Sequence, residues 1–292
     1  MTKRWLVGLA AGGVVAAWVA GCGGPQLPKA ARGEVLVTVE GKVKYGPFPL
    51  GRADLEALPR TGFRAVDPAT GREARYDGVS LRQVLADRIE GIEGADTVVV
   101  HTATREALPL PPMVLRQYRP ILADRIDGQP VPPQLAWPNL DQLGLQRDPR
   151  ALLWWARQVE RLELIAWDRT WGRSLRPPPG ASDAARLGGG QYALRCTPCH
   201  QLGKAGGARG PALDGAGSRL GLTGFMAVLR THAIWQERLG TELSPGDQVA
   251  GQIHAFLSAV DLAGDGQQDE GPGETPEKVR GPPPEPGAGA RP

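Results

Sequence analysis

Between residues 34 and 170 the apolar positions fall into short runs separated by Gly, Pro and Asp. Residues 35–39, 63–66, 72–76, 97–100 and 162–165 are β-type runs with turn formers at their ends, and each predicts a strand. Residues 54–58 and 81–89 instead follow helical spacing, the second opened by Ser80 as N-cap. Short strands with a few helices between them predict an α+β unit. The run Val84-Leu85-Ala86-Asp87-Arg88-Ile89 is echoed by Ile121-Leu122-Ala123-Asp124-Arg125-Ile126. Their flanks do not match, so the pair is not an internal repeat. Beyond the break at Pro177-Pro178-Pro179-Gly180 the period changes. Val249, Ile253, Phe256, Leu257 and Val260 recur on one helical face over 245–260, and 224–230 predicts a shorter helix. A helical unit is therefore expected over 187–262, joined to the α+β unit (34–170) by a Pro-rich linker (171–186). Past Leu262 the chain is rich in Gly, Pro and Glu. Too little apolar surface remains there to offset the entropy of ordering, so 263–292 is expected to be a disordered tail.

The amino end has a pattern of its own. Lys3 and Arg4 precede an apolar stretch over 5–20 that closes at Val19-Ala20-Gly21-Cys22. A positive start, a short apolar core and small residues before a cut site make a signal-peptide layout. The stretch is shorter than the roughly 20 residues of a bilayer span and is rich in Gly and Ala, which weighs against an uncleaved anchor. With its cut just before a cysteine, the segment resembles a bacterial lipoprotein signal. That resemblance implies removal of 1–21, a lipid on Cys22 and a short linker over 22–33. It also implies a lipid-anchored place on the periplasmic side of the envelope, with Gly23 suggesting the outer membrane.

Composition narrows the function classes. Forty Gly and 28 Pro make up nearly a quarter of the 292 residues, which argues against a helical bundle. The formal charge is +3, and with Lys3 and Arg4 removed the 34 basic residues become 32 against 31 acidic ones. No concentrated basic run is present to meet a nucleic acid. Paired carboxylates or a Ser/His/Asp set for proton transfer are not evident either.

Three cysteines carry the chemistry: Cys22, Cys196 and Cys199. An odd, small number in so long a chain excludes a disulfide-dense scaffold. Cys196-Thr197-Pro198-Cys199-His200 has the C-x-x-C-H spacing of covalent c-type haem attachment. In that chemistry the two thiols add to the vinyl groups and the adjoining imidazole reaches the iron. A thioredoxin-like pair would require a βαβ context, which the Gly-rich flanks do not supply. A structural zinc site would require about four Cys or His ligands, and no further cysteine exists.

From about 187 to 262 the chain resembles a class I monohaem cytochrome c. The likeness rests on Cys196–His200, on Gly210-Pro211-Ala212-Leu213 ten residues later, and on the terminal helix. It implies one haem c, bound through Cys196 and Cys199, with His200 as proximal ligand. Pro211 is expected to pack on the haem, its carbonyl orienting the His200 ring. The family's distal methionine is missing from 231–244, where the only strong ligand is His232. Met226, on an apolar helical face, is the alternative, and an open or water-bound site is the third. His254 reads as a surface or packing residue.

The α+β unit resembles the molybdopterin-binding domain of the sulfite oxidase family. The likeness rests on Asp54-Leu55-Glu56-Ala57-Leu58-Pro59, Tyr76-Asp77-Gly78-Val79-Ser80-Leu81, and Asp127-Gly128-Gln129-Pro130 with the closing run 159–164. In that family a cysteine thiolate ligates molybdenum, and here no cysteine lies between Cys22 and Cys196. A soft thiolate is not replaced silently by residues around Asp67-Pro68. Molybdopterin is therefore not expected, and the unit is expected to recognise a partner or small ligand without catalysis. His101, Arg105, Tyr118 and Trp137 are its candidate contacts. Trp154-Trp155 before Arg157 reads as core or as an electron-transfer or docking surface. Together the resemblances imply an anchored electron-transfer protein that exchanges single electrons with a dehydrogenase or terminal reductase. Two alternatives stay open: an active oxidoreductase with a cofactor in the α+β unit, and a haem-based ligand sensor.

Overall fold

The computed structural model describes residues 33–43, 46–86, 95–147, 149–232 and 245–268. The lipoprotein-like segment, Cys22 and most of the linker after it lie outside them, as do residues 233–244 and everything after 268.

The described residues form nine strands: β1 (Val35–Gly41), β2 (Phe48–Gly51), β3 (Arg60–Val66), β4 (Glu73–Ser80), β5 (Thr97–Thr102), β6 (Ala107–Leu110), β7 (Ile121–Ile126), β8 (Gln129–Ala136) and β9 (Val159–Ile165). The helices are α1 (Arg52–Glu56), α2 (Leu81–Ala86), α3 (Pro112–Tyr118), α4 (Leu143–Arg147), α5 (Trp171–Leu175), α6 (Asp183–Arg195), α7 (Ala216–Arg230) and α8 (Asp247–Gln268). The chain is α+β, with strands ordered β2-β1-β9-β5-β6 in one sheet and β3-β4-β7-β8 in the other. All pairings are antiparallel except β1 with β9. Pro130, Pro132 and Pro133 lie in β8, an edge strand, where the register with β7 shifts between Ala123 and Arg125; edges and bulges are where a sheet accommodates proline.

Two cores share the five-stranded sheet. Side chains alternate between the faces of a strand, so neighbours in sequence serve opposite sides. In β5, Val98 and Val100 enter the core of the α+β unit, while Val99 enters a second core with Tyr192, Phe256 and Leu257. In β9, Leu162 and Leu164 join the first core and Ile165 the second. The unbroken apolar run at 97–100 is thus explained by burial on both faces.

The first core is closed by tryptophans. Trp137 is fully buried, donates its Nε1–H to the Trp154 carbonyl at 2.8 Å, and lies 5.5 Å from the Trp154 ring. Arg60 reaches the buried Asp124 carboxylate through both terminal nitrogens, at 2.9 and 2.5 Å, joining β3 to β7 across β4.

The second core is made by α5, α6, α7 and α8 against the sheet. Ser182 Oγ accepts the Ala185 N–H at 3.2 Å and starts α6. Where α6 crosses α8, a Cβ on Gly188 would stand 1.9 Å from the Gln252 carbonyl oxygen, so only glycine permits this approach. The start of α7 is capped from α8: the Asp261 carboxylate accepts the N–H groups of Gly215 (2.8 Å) and Ser218 (3.0 Å). Non-helical backbone at Gly221 (φ 59°, ψ 171°) kinks α7.

Several expected boundaries change. The stretch 171–186 is not a free linker, because α5 occupies its first part and buries Trp171 and Leu175 in the second core. Helix α6 starts at Asp183, before the expected 187. Helix α8 continues to Gln268, beyond the expected end at 262. Val84-Leu85-Ala86 is helical in α2, whereas its echo Ile121–Ile126 is strand β7. No helix among the described residues is long and apolar enough to cross a membrane.

Candidate functional site

Cys196 caps the carboxyl end of α6, its N–H donating to the Tyr192 carbonyl at 2.8 Å. The Cys196 carbonyl then accepts from Cys199 N (3.1 Å) and His200 N (2.8 Å). One tight turn therefore presents both cysteines and the histidine to one cavity of about 350 Å³. That lies within the ~300–1,000 Å³ usual for small-molecule and cofactor sites. Neither thiol is in a disulfide. Burial pushes the Cys196 thiol up to about 12, so at neutral pH it is protonated.

His200 is fixed from the next loop. Its Nδ1–H donates to the Pro211 carbonyl at 2.8 Å, which leaves Nε2 aimed elsewhere. A Cβ on Gly210 would lie 2.4 Å from His200 Cε1, so the imidazole rests flat on backbone that carries no side chain. His200 Nε2 faces His232 Nε2 at 3.4 Å, with the rings tilted 73° to one another. Burial, with a smaller contribution from His200, lowers the pKa of His232 and favours a neutral ring with a lone pair to offer.

The cavity wall comes from both units. Leu213, Phe225 and Leu229 belong to the helical unit, whereas Glu106, Leu108 and Trp155 come from the α+β unit. Of the sequence-predicted residues, Cys196, Cys199, His200, Pro211 and His232 all line this cavity. Met226 does not, although its neighbours Phe225, Val228 and Leu229 do. It therefore belongs to a different part of the α7 surface, and the structure does not bring it to the site as a distal ligand. His254 packs against Phe225 with ring centres 5.7 Å apart, and its Nε2 donates to the Gly217 carbonyl at 3.2 Å. Among the described residues no three His, Cys, Asp or Glu side chains converge to hold a bare metal ion. Two thiols and two imidazoles on one cavity form a donor set that would suit a cofactor held both by sulfur and by nitrogen.

The candidate contacts of the α+β unit lie apart from one another. His101 accepts from Arg161 at Nδ1 (2.9 Å) and donates from Nε2 to Glu163 (2.8 Å), making a polar row across β5 and β9. Tyr118 and Trp137 pack with Trp154 in the core. Arg105 adopts a left-handed conformation (φ 64°) in the β5–β6 turn, and its carbonyl accepts from Ala208 N at 2.8 Å. Trp155 lines the cavity on one side and meets Tyr76 edge-on at 5.4 Å on the other. Tyr76 in turn lines a separate cavity of about 330 Å³ with Asp67, Arg72, Gln134 and Arg157.

Sequence reasoning did not find Glu106 or Arg209. Glu106 is a buried carboxylate that accepts from Arg209 Nη1 at 2.6 Å. The two are 103 positions apart, and nothing local to either marks the pairing.

No family model matches the chain. No curated protein matches it either. Among solved structures, the sulfane dehydrogenase SoxCD from Paracoccus pantotrophus is similar at 17% identity and a TM-score of 0.34. The match covers 44% of this chain and 38% of that one.

Proposed function

We propose that this protein is a c-type cytochrome whose helical unit carries one covalent haem and exchanges single electrons with a redox partner. Its α+β unit, of sulfite-oxidase-like fold, serves recognition, and a lipid on Cys22 tethers it on the periplasmic side of the envelope. The observation that carries the reading is the convergence of Cys196, Cys199, His200 and His232 on one cavity. When bound there, haem supplies reversible one-electron chemistry at iron, with a potential set by axial ligands and burial.

The chain's own residues divide the work. Cys196 and Cys199 hold the cofactor edge, and His200 offers Nε2 to the metal. The Pro211 carbonyl fixes the His200 tautomer and makes the ring a better ligand, as outer-shell hydrogen bonds do. His232, partly buried and favoured in its neutral form, would offer Nε2 to the metal as a second ligand. Phe225, Leu229 and Leu213 exclude water.

Intact mass and a visible spectrum of protein matured in a host that attaches c-type haem test the reading. One haem per chain is expected, abolished in Cys196→Ser/Cys199→Ser. His232→Ala is expected to lose the low-spin spectrum and to gain carbon monoxide binding in the reduced state. An unchanged low-spin spectrum removes His232 as a ligand, and carbon monoxide binding by the unmodified protein selects the ligand-sensor reading.

The cavity at Asp67, Arg72, Tyr76, Gln134 and Arg157 favours a second reading, in which the α+β unit holds a cofactor of its own and passes electrons to the haem. Stoichiometric molybdenum, or a pterin, in purified protein selects that reading.

A further inference from the structure

The turn that carries the two cysteines is bonded to the sheet of the other unit. Ala107 N donates to the Pro198 carbonyl at 2.9 Å, and Ala208 N donates to the Arg105 carbonyl at 2.8 Å. Between these two backbone links lies one charge pair, Arg209 with Glu106. The Glu106 side chain is 5% exposed, and its carboxylate lines the cysteine-bearing cavity. Its second oxygen accepts from Thr104 Oγ1 at 3.2 Å and lies 3.5 Å from Thr102 Oγ1, so the carboxylate is held in one orientation. Gly210, next to Arg209, donates its N–H to the Cys199 carbonyl at 2.8 Å, which holds the arginine's loop against the cysteine turn. The sequence of contacts thus runs from a buried carboxylate of the α+β unit, through Arg209 and its neighbour Gly210, to the backbone of the cysteine turn.

We infer that Glu106 and Arg209 form a positioning pair through which the α+β unit sets the reduction potential of the haem. The inference rests on the haem reading above. Charges next to a buried redox centre act through a medium of low effective dielectric, where they are felt far more strongly than in water. A negative charge favours the oxidised, more positive cofactor, and a positive charge favours the reduced one. The pair holds these two influences in balance, and the charge-assisted bond from Arg209 Nη1 to Glu106 holds them beside the cysteine turn. A structural tether alone predicts no relation between the sign of the charge removed and the sign of the shift.

The test is a spectroelectrochemical titration of the full chain carrying covalent haem, as Glu106→Gln, Arg209→Gln, the double variant and Arg209→Lys, with folding monitored by circular dichroism. Glu106→Gln is expected to raise the potential and Arg209→Gln to lower it. Each shift is expected to change the oxidised-to-reduced ratio about tenfold, which is ~59 mV for one electron. The double variant is expected to return close to the parent, and Arg209→Lys, which keeps the charge, to stay close to it. Shifts of the same sign in the two single variants, or none in either, overturn the proposal while leaving the haem reading intact. Should Glu106→Gln fail to fold, the comparison of Arg209→Gln with Arg209→Lys decides alone: equal shifts overturn the proposal. Parent protein without covalent haem overturns the underlying reading, and this one with it.

Discussion

The two faces of the five-stranded sheet are built by different means. On the α+β side, Val98, Val100, Leu162 and Leu164 meet a continuous aliphatic and tryptophan core. On the helical side, Val99 and Ile165 meet Tyr192, Phe256 and Leu257 where α6 and α8 crowd close enough to need glycine at 188. That second core lies against the cavity: Cys196, Ala216 and Phe225 belong to both. The difference teaches where order comes from in each half. The α+β side has a filled interior that holds itself, whereas the helical side depends on a few close contacts and on the sheet behind it.

The comparison can be broken at several points. Phe256→Ala is expected to have the largest effect, about 3–5 kcal/mol, because a fully buried aromatic is removed from the second core. Amide exchange should accelerate in α6 and α8 while β3, β4 and β7 keep their protection; uniform loss would mean that the two cores melt as one.

Neighbouring valines sharpen the same point. Val99→Ala and Val100→Ala each delete two buried methyl groups, for about 2 kcal/mol by denaturant titration. Their exchange footprints should nonetheless differ, helices for the first and the α+β sheets for the second. Identical footprints would erase the distinction between the faces.

Asp261→Ala removes the cap that α8 gives to α7 and is expected to cost about 1–2 kcal/mol. Its effect should stay within the helical unit, visible as faster exchange at Gly215 and Ser218.

The smallest effect concerns acid. A hydrogen bond from His101 holds the Glu163 carboxyl below its ordinary range, against the opposing effect of burial. A carboxylate with a depressed folded-state value adds stability that is present above its unfolded value, about 4.3 for Glu, and is lost as pH falls through the folded value. Glu163→Gln should therefore flatten the acid limb of the stability curve and leave the helical unit unchanged. A limb as steep as the parent's would assign acid sensitivity elsewhere.

What could be read from sequence follows from how local each signal is. The strands at 35–39, 63–66 and 97–100 and the stripe Val249, Ile253, Phe256, Leu257 were legible because apolar period and turn residues sit in the same short window. Strand β6 was not, because Ala107-Leu108-Pro109-Leu110 is four residues long and contains a proline. Strand β7 was hidden by its likeness to the α2 run, since partners decide the conformation of a short apolar stretch. The C-x-x-C-H turn was legible as chemistry because its donors are contiguous. Glu106 and Trp155 were not legible as cavity walls, since only the packing of β6 and the 150s segment against the cysteine turn brings them there.

Strand β6 closes one end of its sheet, and an edge strand presents unpaired backbone groups to any other extended chain. In this protein the Ala107 N–H at that edge is taken by the Pro198 carbonyl, in the middle of the cysteine turn. The helical unit is in this respect a lid on an adhesive seam. Separating the two halves would uncover a site for strand-to-strand self-association, so the cysteine-bearing turn also serves as the cover of an otherwise open sheet edge.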